Sequence, residues 1–345
     1  MDQHQIKMRH PLLDEKGRLI EAGYAKELLM DYDRSAIKAG KLRIKEWVYY
    51  LIACDDFAVA LTIADNSYMG LDSISLIDFR IPWEKTTSPM SAFTMGKRRL
   101  PSSSISGDVS SGNKNYNIEF INNEDHRLLN FHMKKFDGHK PISGQIRLEC
   151  PPAESMVIAT PFAEKETAFY YNQKINCMPA CGWVKLGDEK HRFTPDSAMG
   201  VLDWGRGVWT YDNTWYWGTG SGWHDGDSFG FNLGYGFSDR SSASENMVFY
   251  RNRAHKLDEV TFMIPRDESG GYAFMEPWYL TSNDGHFVGS FIPRMDRQAN
   301  INLLAVRSVQ HQVFGFFSGK VVLDGGEILE IKDFLCAVEV IHNMY

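Results

Sequence analysis

Cysteine is scarce in this sequence. Its 345 residues hold five, at 54, 150, 177, 181 and 336. An odd, scattered set fits reduced thiols and argues against a disulfide framework. Cys177 and Cys181 form a C-x3-C pair, but no second tight pair follows to complete a zinc site, so no metal is expected. Long apolar runs are missing as well. The greasiest stretch, Trp47 to Cys54, is strand-sized, well short of the ~18–20 apolar residues of a membrane span. The opening residues lack the apolar core of a secretory signal. Positive charge is in deficit, with 37 Lys and Arg against 44 Asp and Glu and a formal net charge of −7. That balance argues against a nucleic-acid partner and against a polybasic membrane anchor. A cytoplasmic location is the expectation. G-x-S-x-G, Walker A and H-E-x-x-H motifs are absent too. G-x-G occurs only inside β-rich sequence rather than between a strand and a helix, so a dinucleotide site is not expected.

What is present is aromatic and glycine-rich: 21 Phe, 15 Tyr, 9 Trp and 29 Gly. Together these favour β structure with tight turns. Short alternating segments recur from KEWVYYLIAC (45–54) to EILEIKDFLCAVEVIHN (327–343), the pattern of an all-β sandwich or barrel. In FGFNLGYGF (229–237), Phe229, Phe231, Leu233, Tyr235 and Phe237 alternate with Gly230, Asn232, Gly234 and Gly236. One face is large and apolar; the other is nearly bare backbone, as where a strand bends at a barrel corner or where another group approaches closely. Residues 25–40 read as a short helix or an irregular arm, and SAMGVLDWG (197–205) as a loop or short helix. Pro151-Pro152 and Pro161 interrupt the pattern, which places a domain boundary near 158/159. An N-terminal β domain (1–158) then precedes a C-terminal one (159–345).

The densest candidate for chemistry is LDWGRGVWTYDNTWYWGTGSGW (202–223), which holds five of the nine Trp. Asp203 lies three residues from Arg206. A neighbouring arginine would hold the carboxylate ionised as a base, an apolar Trp wall would make it a general acid, and a buried pair would merely brace the turn. Aromatic faces here could also stabilise a developing cation. In FYYNQKINCMP (169–179), alternation puts Tyr171 and Gln173 on one face and Asn172 and Lys174 on the other. Tyr171 and Lys174 are workable acid/base groups. Glu339 sits between apolar neighbours with Ala337 and Ile341 on its face, so it is either paired or functional. The expected site therefore has Asp203, Arg206, Tyr171 and Lys174 as reactive groups. Trp204, Trp209, Tyr211, Trp217 and Asn232 are expected to line the pocket.

Several blocks give the chain a resemblance to the DUF2804 family: HPLLDEKGRL, KEWVYY, FYYNQKINCMP, CAVEVIHN and above all LDWGRGVWTYDNTWYWGTGSG. That family is distantly similar to two-domain lipocalin-like proteins of the AttH and carotenoid 1,2-hydratase kind. The resemblance implies two calycin-type β-barrels or sandwiches packed together, with a cavity for an apolar or cyclic ligand near their junction. It also implies cofactor-free chemistry, either acid-catalysed hydration or isomerisation and cyclisation. Two other readings compete. One is a non-catalytic small-molecule carrier. The other is a carbohydrate-active enzyme pairing Asp203 with Glu276 or Glu339. Self-association is left open.

Overall fold

The computed structural model describes residues 3–123, 125–149, 152–303 and 306–344. Among these the regular structure is β apart from two 3-10 turns, Arg34–Ala36 and Lys41–Arg43. The first turn, capped by the Asp33 carboxylate on the Ser35 N–H (2.8 Å), stands where a short helix or arm was expected. No helix is long and apolar enough to cross a membrane.

Two large antiparallel sheets account for most of the chain. The first runs, in spatial order, through Trp83–Thr87, Met69–Asp78, Phe57–Asp65, Ile44–Ala53, Met199–Val208, Lys165–Leu186, Lys140–Glu149, His126–Asp137, Tyr116–Asn122 and Val109–Asn113. It curls until the Thr87 hydroxyl donates to the Phe136 carbonyl at 2.7 Å. The second runs through Arg253–Lys256, Met247–Tyr250, Asp227–Tyr235, Asp212–His224, Ile328–Met344, Val306–Val322, Phe287–Leu303, Trp278–Ser282 and Val260–Met263. It closes where the Phe262 N–H donates to the Tyr235 hydroxyl at 3.2 Å. The expected all-β pair of barrels is what the chain builds.

Both barrel interiors are packed with large side chains. Val48, Tyr50, Phe120, Phe131 and Trp204 fill the first. Phe229, Phe231, Leu233, Phe287, Phe317 and Val338 fill the second; of the large face expected of 229–237, Phe229, Phe231 and Leu233 are among them, while Phe237 packs with the first cluster. A third cluster joins the outer faces: Leu51, Ala58, Ala60, Ile77 and Phe79 meet Met295, Phe314 and Ala337.

Two expectations need correction. Met199–Val208 is a strand rather than a loop or short helix, and all of it is buried. A strand covered on both faces shows no polar alternation, which is why its sequence looks irregular. The boundary near 158/159 falls inside Met156–Phe162, a strand of the first sheet. The chain leaves that sheet only after Val208 and enters the second at Asp212. The block around Asp203 therefore belongs to the first sheet. Prolines mark a local break, but the pairing of Met199–Val208 with Ile44–Ala53 is long-range.

Candidate functional site

A cavity of about 530 Å³ lies between the two sheets. Strand register determines its walls, because side chains two residues apart share a face. On the first sheet Lys174, Asp203, Tyr49, Thr62 and Ser73 stand side by side across successive strands. Ser88 extends this polar row through a 3.0 Å bond to Ser73. The next row on the same face is Trp47, Ala64, Leu71 and Met90. On the facing sheet one row is Trp217, Glu339, Gln312 and Arg297, and the next is Trp215, Ile341, Gln310 and Ala299. All of these line the cavity.

Polar groups converge where the two polar rows meet. Lys174 Nζ lies 2.5 Å from Asp203 Oδ2, with side-chain exposures of 4% and 12%. Asp203 Oδ1 accepts from Trp47 Nε1 (3.0 Å) and Asn172 Nδ2 (2.8 Å). The Lys174 ammonium also sits 4.3 Å from the centre of the Trp217 ring. Trp217 Nε1 donates to Asn232 Oδ1 (2.7 Å), and Asn232 Nδ2 donates to the Glu245 carbonyl (2.7 Å). Burial pushes the Glu245 carboxyl above its usual range, against the pull of Lys174. Burial also raises the Glu339 carboxyl, to about 7, while a hydrogen bond from Gln312 and the Lys174 charge pull it down. Gln312 Nε2 reaches the Tyr49 hydroxyl at 3.3 Å as well, and its Oε1 accepts from Arg297 Nη1 at 2.7 Å. Burial raises the Tyr49 phenol.

Of the residues singled out in the sequence, Lys174, Asp203, Trp209 and Trp217 line the cavity. Asn232 supports the wall from behind through Trp217 and Glu245. Other expected site residues lie elsewhere. Arg206 is three residues from Asp203 and so points to the opposite face of the strand. It is wholly buried in the first barrel, donates to the carbonyls of Trp47, Gly205 and Pro101, and lies 4.0 Å from the Trp204 ring centre. Its carboxylate neighbour is Glu46 at 3.8 Å, not Asp203. Trp204 and Tyr171 are in the same core, Tyr171 donating to the Met30 carbonyl at 2.7 Å. Tyr211 is 44% exposed, outside the cavity. Glu276 is exposed and away from it too, so only Glu339 of the two proposed partners shares the space with Asp203.

Sequence reasoning missed Trp47, Tyr49, Glu245, Arg297 and Gln312. The alternation in KEWVYY places Trp47 and Tyr49 on one face, a usable signal. Glu245 lies in an irregular stretch with no periodicity to place it. Its position depends on Gly234, where an added Cβ would fall 2.5 Å from the Glu245 carboxyl carbon. Of the two arrangements expected of the bare glycine face, this is the close approach.

Gly205 plays the same part for Trp47. A Cβ there would sit 2.0 Å from the indole ring. Gly205→Ala is therefore expected to displace Trp47 from Asp203 and cost roughly 1–3 kcal/mol in urea unfolding. Most of that penalty should disappear in a Trp47→Ala background; an equal penalty in both backgrounds contradicts the contact. Among the described residues no three His, Cys, Asp or Glu side chains come together to hold a metal ion.

No curated protein matches the chain. Among solved structures, an AttH-like protein from Nitrosomonas europaea superposes with a TM-score of 0.56 at 11% identity, covering 96% of this chain and 98% of that one. Kievitone hydratase from Nectria haematococca superposes with a TM-score of 0.52, also at 11% identity, covering 87% and 88%. These likenesses establish the lipocalin-like fold. The family model described as "Domain of unknown function (DUF2804)" matches residues 3–345, and the chain belongs to that family.

Proposed function

We propose that the cavity is the active site of a cofactor-independent enzyme that adds water to, or isomerises, a small and largely apolar or cyclic molecule. One observation carries this reading. A carboxyl that holds its proton up to about pH 7 (Glu339) and a carboxylate anchored by lysine (Asp203) share one aromatic-walled cavity. A general acid works best with a pKa near the operating pH. Glu339 gives its proton to an alkene carbon; the π electrons form the new C–H bond and leave a cation on the neighbouring carbon. Trp faces stabilise that cation by about 0.5–2 kcal/mol each. Water then adds, its oxygen bonding to the cation while Asp203 takes the released proton. In isomerisation Asp203 instead removes a proton from an adjacent carbon and the double bond re-forms. Proton exchange with solvent restores both carboxyls. The fold-level likeness to a hydratase points the same way.

The test begins with native mass spectrometry to find a retained ligand, followed by a panel of cyclic alkenes in oxygen-18 water. Turnover should place one labelled oxygen in each hydrated product. Asp203→Asn should lower the rate by about 10²–10⁴-fold while the compound still binds. A compound that binds wild-type protein and is recovered unlabelled and unrearranged makes the cavity a carrier site. Hydrolysis of a glycoside that needs both Asp203 and Glu339 favours the carbohydrate reading instead.

A further inference from the structure

Polarity in this cavity is segregated by row. On the first sheet, Asp203, Tyr49, Thr62 and Ser73 form a polar line, while Trp47, Ala64, Leu71 and Met90 form an apolar one beside it. The two lines lie two residues apart along the strands, roughly 7 Å, and each crosses successive strands at about 4.8 Å per step. The facing sheet repeats the division. Glu339, Gln312 and Arg297 form its polar line, and Trp215, Ile341 and Ala299 belong to the line beside it. Gln310, in that second line, turns its amide to Ser308 at 2.8 Å.

Like rows face like. The polar lines meet through Gln312 and Tyr49 (3.3 Å) and through Lys174 over Trp217 (4.3 Å). The apolar lines are joined by an edge-to-face aromatic chain: Trp47 to Trp209 (5.6 Å), Trp209 to Phe237 (5.4 Å) and Phe237 to Trp215 (5.3 Å). The space between is a slot running across the strands, polar along one line of side chains and largely apolar along the next, with Asn66, Asn300 and Glu245 also in its lining.

We infer that the ligand of this slot is an elongated, facially amphipathic molecule, hydrocarbon along one side and hydroxylated along the other. The inference rests on the cavity being the binding site proposed above, and it names the class of molecule that enters. An all-hydrocarbon ligand would cover the Thr62 hydroxyl and the spare lone pairs of the polar line without hydrogen-bonding to them, which is unfavourable. A sugar, with hydroxyls around the whole rim of its ring, would leave those on one edge unpaired against Leu71, Ile341 and the aromatic chain. Only a side-segregated molecule satisfies both lines at once.

Three probes separate these cases: cholate, with its ring hydroxyls on one face; 5β-cholanate, the same skeleton and carboxylate without ring hydroxyls; and cellobiose. Binding is read by tryptophan fluorescence, since Trp47, Trp209, Trp215 and Trp217 line the slot. Cholate should bind about tenfold more tightly than 5β-cholanate, the equivalent of about 1.4 kcal/mol, and cellobiose should not bind. Thr62→Val should reduce the cholate preference without weakening 5β-cholanate. Leu71→Ser should weaken both steroids. Equal binding of the two steroids, failure of both, binding of cellobiose, or an unchanged preference in Thr62→Val each overturns the inference. The readout involves no turnover, so the two readings fail separately. A cholate preference without any alkene conversion defeats the reaction, and conversion of a bare hydrocarbon without a cholate preference defeats the ligand class.

Discussion

Exchanging Lys174 for methionine is expected to destabilise the protein by roughly 3–5 kcal/mol, the effect of removing one partner from a buried ion pair. Lys174 and Asp203 are both largely shielded from water and lie 2.5 Å apart. Without the ammonium, Asp203 keeps the Trp47 and Asn172 donors but faces the cavity with no cation beside it. The cation–π contact with Trp217 goes as well. Removing both charges together is a different matter, because a buried pair exchanged for apolar groups is often neutral. Lys174→Met combined with Asp203→Leu should therefore recover most of the loss in urea unfolding. A single-variant cost below about 1 kcal/mol would mean that the pair behaves as a solvated surface bridge. The cavity would then be too wet for the chemistry assigned to it.

That pair was half legible in the sequence. Period-2 alternation in 169–174 placed Asn172 and Lys174 on one face and Tyr171 on the other, and the structure agrees. The same rule applied to 203–206 would have separated Asp203 from Arg206, since three residues along a strand reverse the face. The glycines give the segment the look of a turn, where such neighbours meet. Gly205 instead makes room for the Trp47 ring. Trp204 follows Arg206 into the barrel for the same reason of parity. The partners missed altogether, Gln312 and Arg297, enter by pairing between distant strands. Nothing local in the chain records that one sheet's outer face will cover another's. Composition and alternation therefore indicated the fold class, and one face of one strand indicated half of the ion pair. The cavity itself is a product of how the barrels dock.

Glu339→Gln should separate catalysis from stability in opposite directions. As the general acid, Glu339 loses its proton as pH rises, so wild-type turnover should fall through about pH 7. The glutamine variant should be slower by about 10²–10⁴-fold, with its pH profile flattened on the alkaline side. Stability should move the other way. The folded-state value of about 7 lies above the ordinary 4.5, so between these pH values the folded chain holds a proton that the unfolded chain has released. Unfolding is then favoured by rising pH. The carboxyl imposes no penalty below about 4.5, and its penalty grows until about 7. A gap of roughly 2.5 pH units at 1.36 kcal/mol per unit gives about 3 kcal/mol at pH 8. Glutamine keeps an acceptor for the Gln312 amide and does not titrate. Glu339→Gln should thus match wild type near pH 4.5 and exceed it by up to about 3 kcal/mol at pH 8, read as the difference between paired urea titrations. A gap that stays flat with pH would show that Glu339 titrates normally and is not the acid. A gap that opens as expected, with turnover unchanged, would leave the buried carboxyl in place and transfer the proton-donating role to Glu245. That neighbouring carboxyl is also raised by burial and lines the same cavity.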